Sequence, residues 1–138
     1  MSDLAFFDTN VLVYADDAAT PVKREKAITL FRDHLRCGTA VLSLQVLQEY
    51  FSAATRKLKL GPEMAQRKVE ILARARVVRL DVTDVIAAIE LHRLTQVSFW
   101  DALIVHAARL AGAAVLYSED LQAGSAPSGV RVVNPFSK

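Results

Sequence analysis

The sequence predicts an α/β fold: a parallel sheet of four to five short strands with helices on both faces. Short apolar runs alternate with longer stretches of helical periodicity from one end of the chain to the other, the pattern left by parallel strands joined through helical crossovers. Cap and breaker residues fall between those stretches, at Thr20-Pro21, Gly38, Gly61-Pro62, Ser98 and Gly112. No repeat, low-complexity segment or long linker divides the 138 residues, so one domain over 1–138 is expected.

Leu4 to Phe7 is a short apolar run and reads as a buried first strand, with Asp8-Thr9-Asn10 at its carboxyl end. Val11 to Ala15 reads as a short helix or turn, and Asp16 to Thr20 as a loop. Thr20 as N-cap with Pro21 behind it begins a helix through Ala27, Ile28, Leu30, Phe31 and Leu35, which stops at Gly38. Thr39 to Leu42 is the second strand. Ser43 caps a helix to about Lys59, ended by Leu60-Gly61-Pro62, and a further helix covers Glu63 to Ala75. Val77 to Leu80 is a third strand. Asp81 or Thr83 begins a helix through Ile86, Ile89, Leu91 and Leu94; Ser98 caps another that ends at Gly112. Ala113 to Tyr117 is a fourth strand, Gly124 to Gly129 a loop, and Val130 to Val133 a fifth strand stopped by Asn134-Pro135.

Composition narrows the classes. The chain is long enough to bury a core without staples. It has no apolar run long enough for a membrane span and no secretory signal at Met1-Ser2-Asp3. Cys37 is its single cysteine, which leaves neither an internal disulfide nor a cysteine zinc site. A cytoplasmic protein is the simplest expectation. The net charge of +2 identifies no partner, but basic residues cluster at Lys23/Arg24/Lys26, Arg56/Lys57/Lys59, Arg67/Lys68 and Arg74/Arg76/Arg79. Such clusters meet phosphates or simply form solvated helix faces.

Four acids, Asp8, Glu49, Asp101 and Asp120, stand where carboxylates are costly or oddly placed. Asp8 ends the first strand and Asp120 follows the fourth, so parallel strands put both at the carboxyl edge of the sheet, where ligands bind. Asp101 lies in Ser98-Phe99-Trp100-Asp101-Ala102-Leu103-Ile104-Val105, a stretch apolar almost all round and hence buried. Each has a structural alternative. Asp8 suits an N-cap; Asp101 has capping-box spacing to Ser98; Asp120 suits a turn. Glu119 is an alternative functional acid, although alternation at a strand exit aims only one of the pair at the site. Acids converging on one edge raise each other's pKa unless a cation is present, and an oxygen-only donor set suits Mg²⁺ or Mn²⁺. Thr9, Asn10 and Ser118 are short polar side chains able to orient carboxylates or water. Glu49, at about 100° per residue, shares a helix side with Gln45, Ser52 and Arg56, opposite Leu44, Leu47, Phe51, Ala54 and Leu58. By itself it reads as a solvated glutamate near Arg56.

Phe7-Asp8-Thr9-Asn10-Val11-Leu12, the helix of Glu49, Phe99-Trp100-Asp101-Ala102, Ser118-Glu119-Asp120-Leu121 and the closing Val132-Val133-Asn134-Pro135-Phe136 resemble a PIN-domain ribonuclease, and within that family the VapC-type toxin of a toxin–antitoxin pair. The resemblance runs the length of the chain in order. It implies a three-layer α/β/α sandwich around a parallel sheet. It also implies a catalytic, metal-holding set of Asp8, Glu49, Asp101 and Asp120, with Thr9, Asn10 and Ser118 as supports, and Mg²⁺ or Mn²⁺ as cofactor. It implies an RNA substrate, a cognate antitoxin and a homodimer. Ala123 departs from the family, whose members often carry a polar or acidic residue there.

The activity expected from that set is metal-dependent hydrolysis of RNA phosphodiesters, leaving 5′-phosphate and 3′-hydroxyl ends. A haloacid-dehalogenase-like phosphatase also begins with an aspartate after its first strand, but it wants an acid two residues on, where this chain has Asn10. A PIN-like module that binds without cutting is the other alternative. His34, His92 and His106 fall inside expected helices without a partner motif and are expected to be structural.

Overall fold

The computed structural model describes residues 3–121 and 129–137. Its elements follow in the order β1 (Ala5–Phe7), α1 (Thr9–Tyr14), α2 (Pro21–Arg36), β2 (Ala40–Ser43), α3 (Leu44–Arg56), α4 (Pro62–Leu72), β3 (Arg76–Val78), α5 (Val82–Thr95), α6 (Phe99–Leu110), β4 (Val115–Tyr117) and β5 (Arg131–Val133). Every expected strand and helix is present, shifted at its ends by one to a few residues. Of the expected loop at 124–129 only Gly129 falls within the described residues, and Ala123, with Met1 and Ser2, lies outside them.

The strands form one sheet in the order β3-β2-β1-β4-β5, parallel throughout. β1 is its centre, and Ala5, Phe6 and Phe7 are completely buried, which is why so short a strand can be apolar at every position. Right-handed crossovers place the β1–β2 and β2–β3 connections on one face and the return from β3 to β4 on the other. Helix packing agrees: α1 lies against α2 and α3, α3 against α4, and α5 against α6. The result is the three-layer α/β/α sandwich.

Local chemistry fixes the joints. α2 and α6 end at Gly38 and Gly112, whose φ values of +71° and +74° suit the left-handed turn that follows a helix. Ser43 caps α3 through the amide of Val46 at 3.3 Å, and Asp81 with Asp84 forms a reciprocal capping box on α5. Thr20 occupies the N-cap of α2 without capping through its side chain; its hydroxyl is turned to the Asp17 carbonyl at 3.4 Å.

Two expectations about helix faces need correction. The buried stripe of α3 is Val46, Tyr50 and Ala54, whereas Leu44 and Phe51 are exposed. Tyr50 takes the inner position because its hydroxyl reaches Asp16 at 2.6 Å, so that its ring is buried with its polar tip satisfied. On α5, Ile86, Ile89 and Leu94 are exposed and the helix docks through Ala88 and Leu91 against α6.

Candidate active site

β1 connects to β2 on one side and has β4 on its other side. A sheet whose order reverses in this way opens a crevice beyond the carboxyl ends of the two strands. Asp8 leaves β1 at that crevice, and Ser118, Glu119 and Asp120 leave β4. The Asp8 amide donates to the Tyr117 carbonyl at 2.9 Å, which ties the two exits together.

Asp8 is 6% exposed. Its Oδ1 accepts from the Thr9 amide at 2.7 Å, capping α1, and its Oδ2 accepts from Ser118 Oγ at 2.8 Å. Cap and site are therefore compatible, since one carboxylate oxygen serves the helix and the other faces β4. Burial pushes the Asp8 carboxyl up to about 6; the bonds from Ser118 and Thr9 pull it down, and the negative charges of Asp101 and Glu49 raise it again.

Glu49 is half-buried and turned toward β1. Its Oε1 accepts from Thr9 Oγ1 at 2.7 Å and its Oε2 from Gln45 Nε2 at 3.1 Å. The expected pairing with Arg56 is replaced by these two neutral donors. Gln45 Nε2 also reaches the Trp100 carbonyl at 3.3 Å, joining α3 to the start of α6 beside Asp101. Asp101 is half-buried in the first turn of α6, where its amide donates to Ser98 Oγ at 3.1 Å. Burial raises its pKa, the Ser98 hydroxyl opposes that, and the charges of Asp120 and Glu49 add to the rise.

Asp120 is exposed at the mouth of the crevice. Asn10 uses both ends of its amide there: Nδ2 donates to Asp120 Oδ2 at 2.9 Å, and Oδ1 accepts from the Glu119 amide at 3.2 Å. Glu119 points the other way. Its Oε1 accepts from the Tyr14 hydroxyl at 2.7 Å and its Oε2 from Lys23 Nζ at 2.5 Å. The Lys23 ammonium also lies over the rings of Tyr14 and Phe136, at 4.6 and 5.6 Å from their centroids. Burial disfavours the Glu119 carboxylate, but Lys23 and Tyr14 outweigh it and hold its pKa below the usual range.

The four acids expected at the site thus lie within reach of one another's charge: Asp8 feels Asp101 and Glu49, and Asp101 feels Asp120 and Glu49. Asn10 and Ser118 each hold one of them and Thr9 holds two. Among the described residues no group of three His, Cys, Asp or Glu is gathered to grip an ion as it stands. Asp8, Glu49 and Asp120 are each bonded to neutral donors instead. The donor set still fits a hard divalent cation, because it is oxygen-only, clustered and of one charge sign, and a cation relieves the repulsion.

Nothing in the sequence placed Tyr14 beside the acids, and Lys23 and Phe136, visible in a basic cluster and in the closing motif, carried no hint of their contact with Glu119 and Tyr14. Gln45 was visible as the residue one helical turn before Glu49, but its bond was not. The histidines have structural partners: His34 Nδ1 with Thr39 Oγ1 at 2.8 Å, His92 Nδ1 with the Val97 carbonyl at 2.6 Å, and His106 Nε2 with Asp84 Oδ1 at 2.8 Å. A groove of about 910 Å³ opens from Thr9, Asn10, Glu49 and Asp120 along α1 and α3 to Arg56, Lys57 and Leu58. A second hollow of about 480 Å³, bounded by Glu25, Thr29 and Pro135 among others, touches none of the four acids.

The family profile described as PIN domain matches residues 5–125, a span that includes all four. No curated protein matches the chain. Among solved structures, VapC20 of Mycobacterium tuberculosis, a toxin that cleaves the sarcin–ricin loop, superposes with a TM-score of 0.68 at 22% identity, over 84% of this chain and 89% of that one. A toxin–antitoxin complex from Klebsiella pneumoniae gives 0.70 at 19% identity, over 97% and 99%. VapBC2 of Rickettsia felis, bound to a fragment of its promoter DNA, gives 0.63 at 21% identity, over 83% and 86%. Likeness at these identities is likeness of fold.

Proposed function

Because the chain belongs to the PIN domain family, we propose that it is a metal-dependent endoribonuclease, the toxin of a toxin–antitoxin pair. The observation that carries this reading is the electrostatic linkage of Asp8, Glu49, Asp101 and Asp120 at the switch point of the sheet. Asp8 and Asp101, both raised by burial and by the negative charges beside them, are a poor arrangement for structural caps alone and a good one for a site that takes up positive charge.

In this reading Asp8, Asp101 and Asp120 hold Mg²⁺ or Mn²⁺, with Glu49 bound directly or through water. When bound, the ion supplies a water acidified toward neutral pH and positive charge at the phosphate under attack. The chain's own part is positional. Ser118 and the Thr9 amide set the Asp8 carboxylate, Thr9 Oγ1 and Gln45 set Glu49, and Asn10 sets Asp120 while bracing the backbone beside it. Side chains already fixed by such bonds need no reorganisation when charge develops. An attack by water on phosphorus leaves the 2′-hydroxyl unused, so the products carry 5′-phosphate and 3′-hydroxyl ends.

The structural neighbours that are toxin–antitoxin assemblies support an antitoxin as partner. No helix among the described residues is long and apolar enough to cross a membrane, in keeping with an enzyme that meets RNA in the cytoplasm. The exposed Val82, Ile86 and Ile89 of α5 support a homodimer.

The test is incubation of the purified protein with end-labelled single-stranded RNA in Mg²⁺, in Mn²⁺ and in excess chelator, followed by analysis of the product ends. Cleavage in either metal, none in chelator and 5′-phosphate ends are expected. Cleavage that persists in chelator, or 2′,3′-cyclic phosphate ends, would replace this mechanism. Metal binding without cleavage of any RNA leaves the non-catalytic module.

A further inference from the structure

The groove that begins at the acids ends in two cations, Arg56 and Lys57. On α3 the groove-lining residues Glu49, Ser52, Ala53 and Arg56 follow one another at spacings of three, one and three, which is one stripe of the helix surface. Glu49 and Arg56 stand two turns apart, about 10 Å along the axis. The facing wall is α1 and the segment after it, with Thr9, Asn10, Val13, Tyr14 and Asp17. Glu49 and Asp120 mark one end of this trough and the cations Arg56 and Lys57 the other, with Asp17 a further acid on the facing wall.

Neither cation is used by the fold. The ion pairs among the described residues are Lys23–Glu119, Arg32–Asp33, Lys68–Asp16 and His106–Asp84, and no hydrogen bond engages the Arg56 or Lys57 side chain among the described residues. This contrasts with the other basic residue near the acids, Lys23, which is occupied by Glu119, Tyr14 and Phe136. Arg56 and Lys57 do complement the carboxyl end of α3. That role requires no groove, and it does not explain why the adjacent surface is concave and continuous with the candidate active site.

We propose that Arg56 and Lys57 form a phosphate-binding subsite for the strand being cut, gripping backbone phosphate a nucleotide or more from the scissile bond. This rests on the nuclease reading above and adds to it a ligand class, a single-stranded polynucleotide, and a direction for its path along α3. The acids repel a polyanion, so a strand entering the crevice needs attraction from elsewhere, and two unpaired cations at the far end supply it. The subsite reads charge and spacing, not base identity. It therefore favours a chain over a lone phosphodiester.

The experiment uses the full chain and Arg56→Gln/Lys57→Gln, with Arg56→Lys/Lys57→Arg as the charge-preserving control. Cleavage in Mn²⁺ is compared on a 12-nucleotide oligouridylate and on the dinucleotide UpU, which has one phosphodiester and nothing for the subsite to hold. The preference for the 12-mer over UpU is expected to fall about tenfold in the glutamine pair, through KM, and to be retained in the control. The same 12-mer is then titrated by fluorescence anisotropy at several salt concentrations against Asp8→Asn, with and without the glutamine pair. The slope of log K against log salt is expected to lose about 1.4, from about 0.7 per phosphate contact on a single strand.

Equal salt slopes in the two backgrounds overturn the subsite, whatever the cleavage assay shows. An equal loss on both substrates also overturns it, since that places the effect in the chemistry or the fold. If the wild type cuts neither substrate but the slope falls as stated, the subsite stands and the nuclease reading fails.

Discussion

Ser118 Oγ donates to Asp8 Oδ2 at 2.8 Å, across 110 residues of sequence. The bond joins the exits of β4 and β1 and satisfies one oxygen of the most deeply buried of the four acids. It does not make the charge comfortable, because burial still lifts the Asp8 carboxyl from 3.8 to about 6. The folded state thus holds that proton more tightly than the unfolded chain does. The stabilisation is present in full below pH 4 and is lost as pH rises toward 6, an amount of about 3 kcal/mol. Metal-free protein should therefore be less stable at pH 7 than at pH 4.5 by about 2 kcal/mol, as far as this group is concerned. Asp8→Asn removes the titration and retains a good N-cap, so at pH 7 in chelator it should be as stable as wild type or more so. Urea unfolding at the two pH values decides. A variant that loses more than about 1 kcal/mol at pH 7 would show that the carboxylate, through its bond from Ser118 Oγ, holds the fold more than its burial strains it.

Thr9 acts on two acids at once, through its amide on Asp8 and its hydroxyl on Glu49. Thr9→Val removes only the hydroxyl. Glu49 keeps its Gln45 bond and access to water, so stability should change by about 1 kcal/mol or less. Cleavage should fall about tenfold, equivalent to about 1.4 kcal/mol in the barrier, with Thr9→Ser restoring most of it. Steady-state kinetics of the two variants beside their melting curves provide the check. A serine variant as impaired as the valine one would put the effect in packing.

Lys23 reaches Glu119 from α2, at the far side of α1, and so braces the backbone that carries Asp120. In Lys23→Met the Glu119 carboxylate keeps Tyr14 but loses its cation. Its pKa, now held low, should move up. Because a lowered carboxylate pKa contributes stability at neutral pH that is lost as pH falls through it, the variant should also show a shallower loss of stability in acid. Cleavage should drop several-fold, while Lys23→Arg, which retains the charge, should stay near wild type. Carboxylate NMR titration of Glu119 reads the first effect directly. An unmoved pKa would show that Lys23 is not its principal partner in solution.

What could be read ahead of the structure follows from how local each signal is. β1 and Asp8-Thr9-Asn10 were legible because three apolar residues ending in a cap define both a buried strand and its exit. The order of helices and strands was legible for the same reason. The working face of α3 was not. Its wheel offers two apolar stripes, and the choice between them rests on Tyr50 finding Asp16, a contact between residues 34 apart. The brace on Glu119 was still less accessible, since it joins positions 96 and 105 apart and no spacing in the sequence announces it. Capping-box spacing shows the opposite error. Ser98 and Asp101 have it, and Ser98 Oγ accepts the Asp101 amide, but the reciprocal box is made by Asp81 and Asp84.

The proposed metal-holding role of the acids predicts that stability depends on cations. A ligand that binds only the folded state adds RT ln(1 + [L]/Kd), about 2.7 kcal/mol at one hundred times Kd. Mn²⁺ should accordingly raise the melting temperature of wild type, and the rise should be largest near pH 7, where Asp8 is ionised. As pH falls through about 6 the proton competes for Asp8, so the metal-induced shift should shrink before the fold itself is affected by acid. Asp8→Asn should respond to Mn²⁺ much less at every pH, and Glu119→Gln, which alters the acid already engaged by Lys23 and Tyr14, should respond as wild type does. Thermal melts with and without Mn²⁺ at pH 5, 6 and 7 separate these outcomes. A Glu119→Gln protein that loses its response while Asp8→Asn retains one would transfer the ligand role to the neighbouring acid.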